Sequence, residues 1–143
     1  MPTRSATARW EGGLMKGKGS FHGESDKIGG NYSFGTRFGS EAGTNPEELL
    51  AAAEAACFSM ALGLGLEQNG SPAERIDTRA ACTIDKDGDG FRITRMALKV
   101  TAKVPGIERE TFLRIAEATK DGCPVSKALK GNVALELEAN LEA

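Results

Sequence analysis

The most regular feature of the sequence is a nearly continuous apolar run over residues 49–66. Within it, residues at seven-residue spacing, Cys57 among them, fall on one face of a predicted helix. Apart from Glu54 and Ser59, no side of this helix is polar. A helix that is apolar all round is buried, so the pattern predicts a central helix with a thiol at its midpoint.

The residues before this run predict where the helix begins. Asn45 can accept a hydrogen bond from a first-turn amide, and Pro46 suits the first helical position because it has no amide proton. Glu48 is placed to reach back as in a capping box, and Glu47 adds negative charge where the helix dipole is positive. Late glycines predict fraying, and Asn-Gly-Ser-Pro at 69–72 ends the helix.

Two simpler interpretations of this helix compete with a functional one. A transmembrane span needs about 20 apolar residues. This run of eighteen (49–66) contains Glu54 and draws much of its apolarity from alanine and glycine, so we predict no membrane span. Alternatively, Cys57 is only a small core residue, which is common for a buried cysteine, and the helix alone favours that interpretation.

The first part of the chain predicts short strands. Residues 6–20 alternate weakly around a pair of glycines, which indicates a hairpin, and residues 21–31 have the composition of a loop. His22 lies in this stretch and is predicted to be a solvated residue of a loop or a strand end. Residues 32–38 alternate as a strand that directs Arg37 away from an aromatic face, as expected for an ordinary surface arginine.

Period-two alternation also predicts two longer strands further along the chain. Residues 75–84 alternate cleanly and place Cys82 in the inward row as a core residue. Residues 91–104 form a long strand in which the apolar residues are odd-numbered at the start and even-numbered further along. A strand cannot keep both sets of apolar residues on one side without an extra residue, which predicts a β-bulge near Thr94-Arg95.

The acidic segment between these strands, residues 85–90, resembles the start of a calcium-binding loop. The glutamate that such a loop needs at position 12 is replaced by Met96, and both flanks are strands rather than helices. The segment is therefore predicted to be a charged hairpin tip and not a metal site.

The remaining pattern predicts an amphipathic helix over 108–120, a short helix over 125–130 and a final strand over 133–141. Strands, helix, hairpin, helices and strand follow one another in separate groups. This order indicates an α+β domain with a mainly antiparallel sheet packed on the central helix. The length of 143 residues suits a single domain with a sizeable core.

Composition limits the classes of function. The net charge is −2 without a dense basic cluster, which argues against a nucleic-acid-binding surface. The three cysteines form no Cys-x-x-Cys pair, and with one histidine they predict neither a zinc site nor a disulfide framework, so no metal or cofactor is expected. The first residues lack the apolar segment of a secretory signal, and a cytoplasmic protein is expected.

Two of the cysteines carry the candidate chemistry. Cys123 precedes Pro124 at the start of the short helix, where unpaired amides and the positive helix end predict a pKa below that of a free thiol. Cys57 lies in apolar company, which favours its protonated form unless the fold brings a cation to it. Local chemistry therefore nominates Cys123 as the more reactive thiol, and no histidine base is placed for a papain-like mechanism.

Three segments of the chain form an ordered set of motifs: FGTRF (34–38), TNPEELLAAAEAACFSMAL (44–62) and GCPVSKALK (122–130). With these segments the chain closely resembles the OsmC/Ohr family, that is, osmotically inducible protein C and the organic hydroperoxide resistance proteins. A lone CPVS is unspecific, whereas three ordered segments with Cys57 and Cys123 66 positions apart are specific. The residues that flank Cys57 resemble the OsmC branch more than the Ohr branch.

The resemblance implies a single OsmC-like domain over residues 1–143, folded as an intertwined homodimer whose sheets wrap around two buried central helices. It also implies a thiol-dependent peroxidase that reduces organic hydroperoxides, and hydrogen peroxide less well, to alcohols. A thiol or dithiol, of the dihydrolipoyl type in the Ohr branch, would then reduce the oxidised enzyme.

The same resemblance implies roles for four residues. Contrary to the expectation from local chemistry, it makes Cys57 rather than Cys123 the more reactive thiol. Cys57 would be the peroxidatic cysteine that becomes a sulfenic acid, and Cys123 the resolving cysteine that forms an intramolecular disulfide with it. Arg37 would supply the cation that Cys57 needs, and Glu47 would hold Arg37 in a bidentate pair. Cys82 lies outside this two-cysteine pattern.

Two other functions stay open on the sequence alone. One is a non-catalytic, stress-induced dimer that binds a small apolar ligand at its interface and keeps both thiols inert. The other is a general disulfide oxidoreductase, which the absence of a Cys-x-x-Cys pair disfavours.

Overall fold

The computed structural model describes residues 1–142 and contains six strands and four helices within them. In chain order these are β1 (Ala6–Glu11), β2 (Lys18–Gly23), β3 (Gly29–Tyr32), α1 (Phe34–Phe38), α2 (Pro46–Gln68), β4 (Arg75–Asp87), β5 (Gly90–Lys103), α3 (Arg109–Gly122), α4 (Pro124–Leu129) and β6 (Ala134–Leu141). The chain divides into two units, residues 1–49 and the residues from 50 onward, which are described separately. The mixture of sheets and helices confirms the α+β class.

The first unit contains a three-stranded antiparallel sheet in the order β1-β2-β3. The predicted hairpin is present, with Trp10 opposite Gly19. The predicted loop over 21–31 is wrong at both ends, because its ends pair as β2 and β3. Glycine is required at position 19 for this pairing, because the Cβ of any other residue would clash with two rings. It would lie 2.6 Å from the ring of Tyr32 and 2.7 Å from that of Trp10.

The predicted strand over 32–38 is also wrong, because residues 34–38 form helix α1. The Ser33 side chain accepts a hydrogen bond from the Thr36 amide (3.2 Å), and the Thr36 hydroxyl accepts one from the Ser33 amide (2.8 Å). This reciprocal capping box supplies local hydrogen bonds that a strand cannot offer. Arg37 therefore lies in the last turn of a short helix and not on a sheet face.

Helix α2 begins at Pro46 and ends at Gln68, both as predicted, but Glu48 contacts Thr44 instead of closing the predicted capping box with Asn45. The Asn45 side chain accepts a hydrogen bond from the Glu48 amide (2.8 Å), whereas the Glu48 carboxylate accepts one from the Thr44 hydroxyl (2.6 Å). The helix continues unbroken to Gln68, so the predicted fraying at its glycines is wrong. Gly65 packs closely there, since a Cβ would lie 3.0 Å from a methyl carbon of Ile115.

The second unit contains a sheet in the order β4-β5-β6. β4 and β5 are antiparallel, and their register shifts between Thr83 (opposite Arg95) and Ile84 (opposite Ile93), so Thr94 is the extra residue. This confirms the predicted bulge. β6 pairs with β5 in parallel, with α3 and α4 in the connection, so the mainly antiparallel sheet contains one parallel pair.

Within the second unit, one face of α2 packs into the core and the opposite face is exposed. Phe58, Leu62 and Leu66 are fully buried in a cluster with residues of β5 and α3. Met60 and Leu64 are 83% and 54% exposed. The predicted burial on every side is therefore wrong for the single chain, because one sheet layer covers only one face of a helix. By length and composition alone, α2 could also cross a membrane. In this chain its buried face packs against β5 and α3.

Candidate active site

Cys123 lies between α3 and α4 and caps the N-terminus of α4, as predicted. Its sulfur accepts a hydrogen bond from the Ser126 amide (3.4 Å), and Pro124 occupies the first turn. The side chain is 1% exposed and belongs to the core cluster. The sulfur is therefore held in one orientation by its own helix and is shielded from water.

A buried carboxyl group faces Cys123. Glu54 of α2 is fully buried, and its Oε1 atom accepts hydrogen bonds from the Ser126 hydroxyl (2.6 Å) and the Cys123 thiol (3.3 Å). The Ser126 hydroxyl also lies 3.1 Å from the Cys123 sulfur. The second carboxyl oxygen, Oε2, has no hydrogen-bond partner among residues 1–142. Thiol, hydroxyl and carboxyl thus form a closed polar triangle inside an apolar core.

Burial raises the pKa of the Cys123 thiol above its ordinary value, even though hydrogen bonds from the side chain and backbone of Ser126 lower it. Interactions with Cys57 and Glu54 raise the pKa further. The low pKa predicted from the N-cap position is therefore wrong. Helix α4 has only six residues, and its free amides do not offset the removal of the sulfur from water.

Cys57 lies close to this triangle, on the part of α2 that packs against the core. It is half-buried, packs against the cluster that contains Cys123, and contributes to the raised pKa of the Cys123 thiol. The fold therefore brings together two thiols that are 66 positions apart in the sequence.

The expected ion pair between Arg37 and Glu47 is present in the first unit. Glu47 Oε1 accepts hydrogen bonds from Arg37 Nε (3.0 Å) and from a terminal guanidinium nitrogen (2.9 Å), and Oε2 is 3.4 Å from Nε. Glu47 is 5% exposed, so the guanidinium is the partner that compensates its burial. The Asn45 side chain donates to the Thr36 carbonyl (2.9 Å) and ties α1 to the start of α2.

An aromatic groove of about 310 Å³ adjoins this ion pair within the first unit. It is lined by Trp10, Leu14, Tyr32, Ser33, Phe34, Arg37 and Phe38. The Arg37 guanidinium carbon lies 5.2 Å from the centre of the Phe38 ring. Apolar walls with one cationic group suit a small ligand that has an apolar body and a polar end.

Sequence reasoning identified the two thiols and the ion pair but missed Glu54 and Ser126 as parts of a site. The signal for Glu54 was present, since it is the only charged residue in the apolar run over 49–66. Cys82 lies half-buried on β4 opposite Met96, as predicted for the inward row. Among the described residues, no three His, Cys, Asp or Glu side chains are arranged to hold a metal ion.

Comparison with known proteins places this site in a family. The profile described as OsmC-like protein matches residues 39–138. The chain is 47% identical to peroxiredoxin OsmC of Escherichia coli (strain K12) over 136 residues, which cover 94% of this chain and 95% of that protein. It is 35% identical to the organic hydroperoxide resistance protein OhrB of Bacillus subtilis (strain 168) over 99 residues, or 68% of this chain and 71% of that protein.

Solved structures agree in fold. The crystal structure of OhrB of Bacillus subtilis superposes with a TM-score of 0.75 at 28% identity, covering 96% of this chain and 98% of that one. An organic hydroperoxide resistance protein from Elizabethkingia anophelis gives a TM-score of 0.77 at 26% identity, with coverage of 99% and 98%. The matched residues include both thiols of the site, and this chain belongs to the OsmC-like protein family.

Proposed function

We propose that this protein is a thiol peroxidase that reduces organic hydroperoxides to alcohols. The observation that carries the proposal is the packing of Cys57, half-buried on α2, against the core cluster that contains the buried thiol of Cys123. Two adjacent thiols of unequal exposure suit a cysteine that meets an oxidant and a second that reacts only with the first. The names of the relatives, peroxiredoxin OsmC and organic hydroperoxide resistance protein OhrB, support the same chemistry.

The reaction proceeds in three balanced steps. The Cys57 thiolate attacks the terminal peroxide oxygen, the O–O bond breaks, and the alkoxide takes up a proton and leaves as alcohol. The Cys123 sulfur then attacks the resulting Cys57 sulfenic acid, so that an S–S bond forms, the S–O bond breaks and water leaves. A small dithiol of the dihydrolipoyl class reduces this disulfide by thiol exchange and is itself oxidised to a disulfide.

In this scheme Arg37 supplies the positive charge that stabilises the Cys57 thiolate. We place its guanidinium beside the Cys57 sulfur in the assembled homodimer, where it favours the thiolate and polarises the peroxide. The pair with the nearly buried Glu47 supports this role, because it holds the charge in a fixed position. The aromatic groove that contains Arg37 then provides an apolar wall for the organic part of the hydroperoxide.

The homodimer is itself a proposal, supported by the exposed apolar face of α2. Ala53, Ala56, Met60 and Leu64 are exposed on this face, and they lie at helical spacings of three and four residues. A contiguous apolar stripe of this kind marks a protein interface more often than a free surface. A second copy of the same helix would cover it symmetrically.

Changing Met60 and Leu64 together to glutamate is expected to give a monomer. Burying two carboxylates at the interface costs several kcal/mol, and each 1.4 kcal/mol weakens association about tenfold. Sedimentation equilibrium measures the mass, with Lys86→Glu at the β4–β5 hairpin tip as a control that changes charge elsewhere. A wild-type protein that sediments as a monomer, or a variant that stays dimeric at micromolar concentration, would contradict the assignment.

Cys123→Ser protein is expected to accumulate the Cys57 sulfenic acid after one equivalent of an organic hydroperoxide. Without the second sulfur no disulfide forms, so dimedone labels residue 57 and turnover with a dithiol becomes slow. Peptide mass spectrometry locates the label, and Cys82→Ser serves as the matched control that forms the Cys57–Cys123 disulfide normally. A disulfide from Cys57 to Cys82 in the Cys123→Ser protein would overturn the assignment of the pair.

A second function is favoured by the aromatic groove alone: a dimer that binds a small apolar ligand and performs no chemistry. Thiol labelling separates the two functions. A peroxidase has one cysteine that reacts rapidly with iodoacetamide at neutral pH and is protected by prior treatment with hydroperoxide. A binding module has thiols that react slowly whether or not hydroperoxide is added.

A further inference from the structure

The buried carboxyl group of Glu54 has no role in the scheme above, although it touches one of the two sulfurs. It accepts hydrogen bonds from the Cys123 thiol (3.3 Å) and the Ser126 hydroxyl (2.6 Å) through one oxygen, Oε1. Its other oxygen, Oε2, is buried and has no partner among residues 1–142. A buried polar atom without a partner costs free energy, so its presence beside a reacting group requires a reason.

We propose that Glu54 is the general base and acid of the disulfide-forming step, taking the proton from the Cys123 thiol and delivering it to the leaving hydroxyl group of the Cys57 sulfenic acid. This inference rests on the proposed peroxidase function and assigns the chemistry of its second half-reaction. It makes Glu54 a catalytic residue, because its carboxyl oxygen contacts a sulfur that reacts.

The surroundings of Cys123 create the need for such a base. A thiol attacks a sulfenic acid as the thiolate, but burial raises the pKa of Cys123 and keeps it protonated near neutral pH. Cys123 is 1% exposed and Ser126 is fully buried, so bulk water does not reach the sulfur to accept the proton. Glu54 Oε1 is the carboxyl oxygen within hydrogen-bond distance of that sulfur.

The step balances without any further reactant. As the S–S bond forms, the proton of the Cys123 thiol passes to Glu54, directly or through the Ser126 hydroxyl that bridges them. As the S–O bond of the Cys57 sulfenic acid breaks, the same proton moves to the departing hydroxyl group, which leaves as water. Glu54 returns to its starting state, and no electrons other than those of the two sulfurs are exchanged.

A purely structural role for this residue fits less well. A glutamine at position 54 would offer the same acceptor oxygen to Cys123 and Ser126 without the cost of burying an ionisable group. A structural carboxyl group would also be expected to use both oxygens, whereas Oε2 is unpaired among the described residues. Glutamate differs from glutamine here chiefly in its ability to carry a proton.

The Glu54→Gln variant tests this proposal because it keeps shape and acceptor but cannot exchange the proton. Rapid-quench mass spectrometry after one equivalent of cumene hydroperoxide separates the two half-reactions. We expect sulfenic acid to form on Cys57 at the wild-type rate and to persist, with disulfide formation slowed by roughly 10²- to 10⁴-fold, the usual contribution of general acid–base catalysis. Glu67→Gln, an exposed site on the same helix, is the matched control.

Chemical rescue distinguishes proton transfer from packing. In Glu54→Ala protein, added formate is expected to raise the rate of disulfide formation, because it restores a carboxylate in the space that the side chain leaves. Disulfide formation in Glu54→Gln within threefold of the wild-type rate would overturn the proposal, as would a slowed Glu54→Ala variant that formate does not accelerate.

If neither variant folds, wild-type disulfide formation without a deuterium solvent isotope effect overturns it. If wild-type Cys57 does not react with the hydroperoxide at all, the peroxidase function itself fails instead.

Discussion

Cys57→Ser protein is expected to consume no organic hydroperoxide above the rate of the free reductant, a loss of at least about 10³-fold. A serine hydroxyl near neutral pH is not ionised and does not form the sulfur–oxygen bond that the reaction requires. Cys123 remains in this variant, but it is buried and its pKa is raised, so it offers little thiolate to the oxidant. Stopped-flow assays with an excess of a dithiol measure the residual rate.

This result distinguishes the roles of the two cysteines, because the sequence and the structure differ on whether Cys57 or Cys123 is the thiol that reacts with the peroxide. The N-cap position alone nominates Cys123 as the reactive thiol, whereas its burial and raised pKa leave it suited to react with a neighbour and not with a diffusing peroxide. Cys82→Ser, which changes the remaining cysteine, is the control and should keep wild-type activity. Turnover by Cys57→Ser protein at a substantial fraction of the wild-type rate would reject the peroxidase mechanism in favour of ligand binding.

The parts of the fold that follow from local pattern are predictable from the sequence. The start of α2 at Pro46, the bulge at Thr94 and the cap formed by Cys123 each depend on residues a few positions apart. Helix capping and strand alternation are short-range effects, so they can be recognised from neighbouring residues in a single sequence.

The errors arise where local signals compete or where distant segments meet. Residues 32–38 alternate like a strand, but the hydrogen bonds between Ser33 and Thr36 favour a helix, and these depend on two hydroxyl groups rather than on hydrophobic periodicity. The interaction of Glu54 with Cys123 joins residues 69 positions apart, which no pattern within α2 reveals. The raised pKa of Cys123 has the same origin, because burial is a property of the folded chain.

Arg37→Met is expected to lower the second-order rate constant of Cys57 oxidation by roughly 10²- to 10³-fold, the cost of removing one preorganised charge from a transition state. Methionine keeps much of the apolar stem that lines the aromatic groove, so the loss reflects the guanidinium rather than packing. Stopped-flow measurement of the single oxidation step isolates the effect from re-reduction. Thermal unfolding of the same protein shows whether the fold survives.

Glu47→Gln should have a smaller effect, about tenfold, because Arg37 is still present but loses the charge-assisted hydrogen bonds to both carboxyl oxygens. If Glu47 acts only by holding Arg37, the double variant should be no slower than Arg37→Met alone, since residues in one network are not additive. An additive double variant would mean that Glu47 acts on the reaction independently. An Arg37→Met protein whose Cys57 reacts at the wild-type rate would mean that another group supplies the charge, and the thiolate would then need a different source of stabilisation.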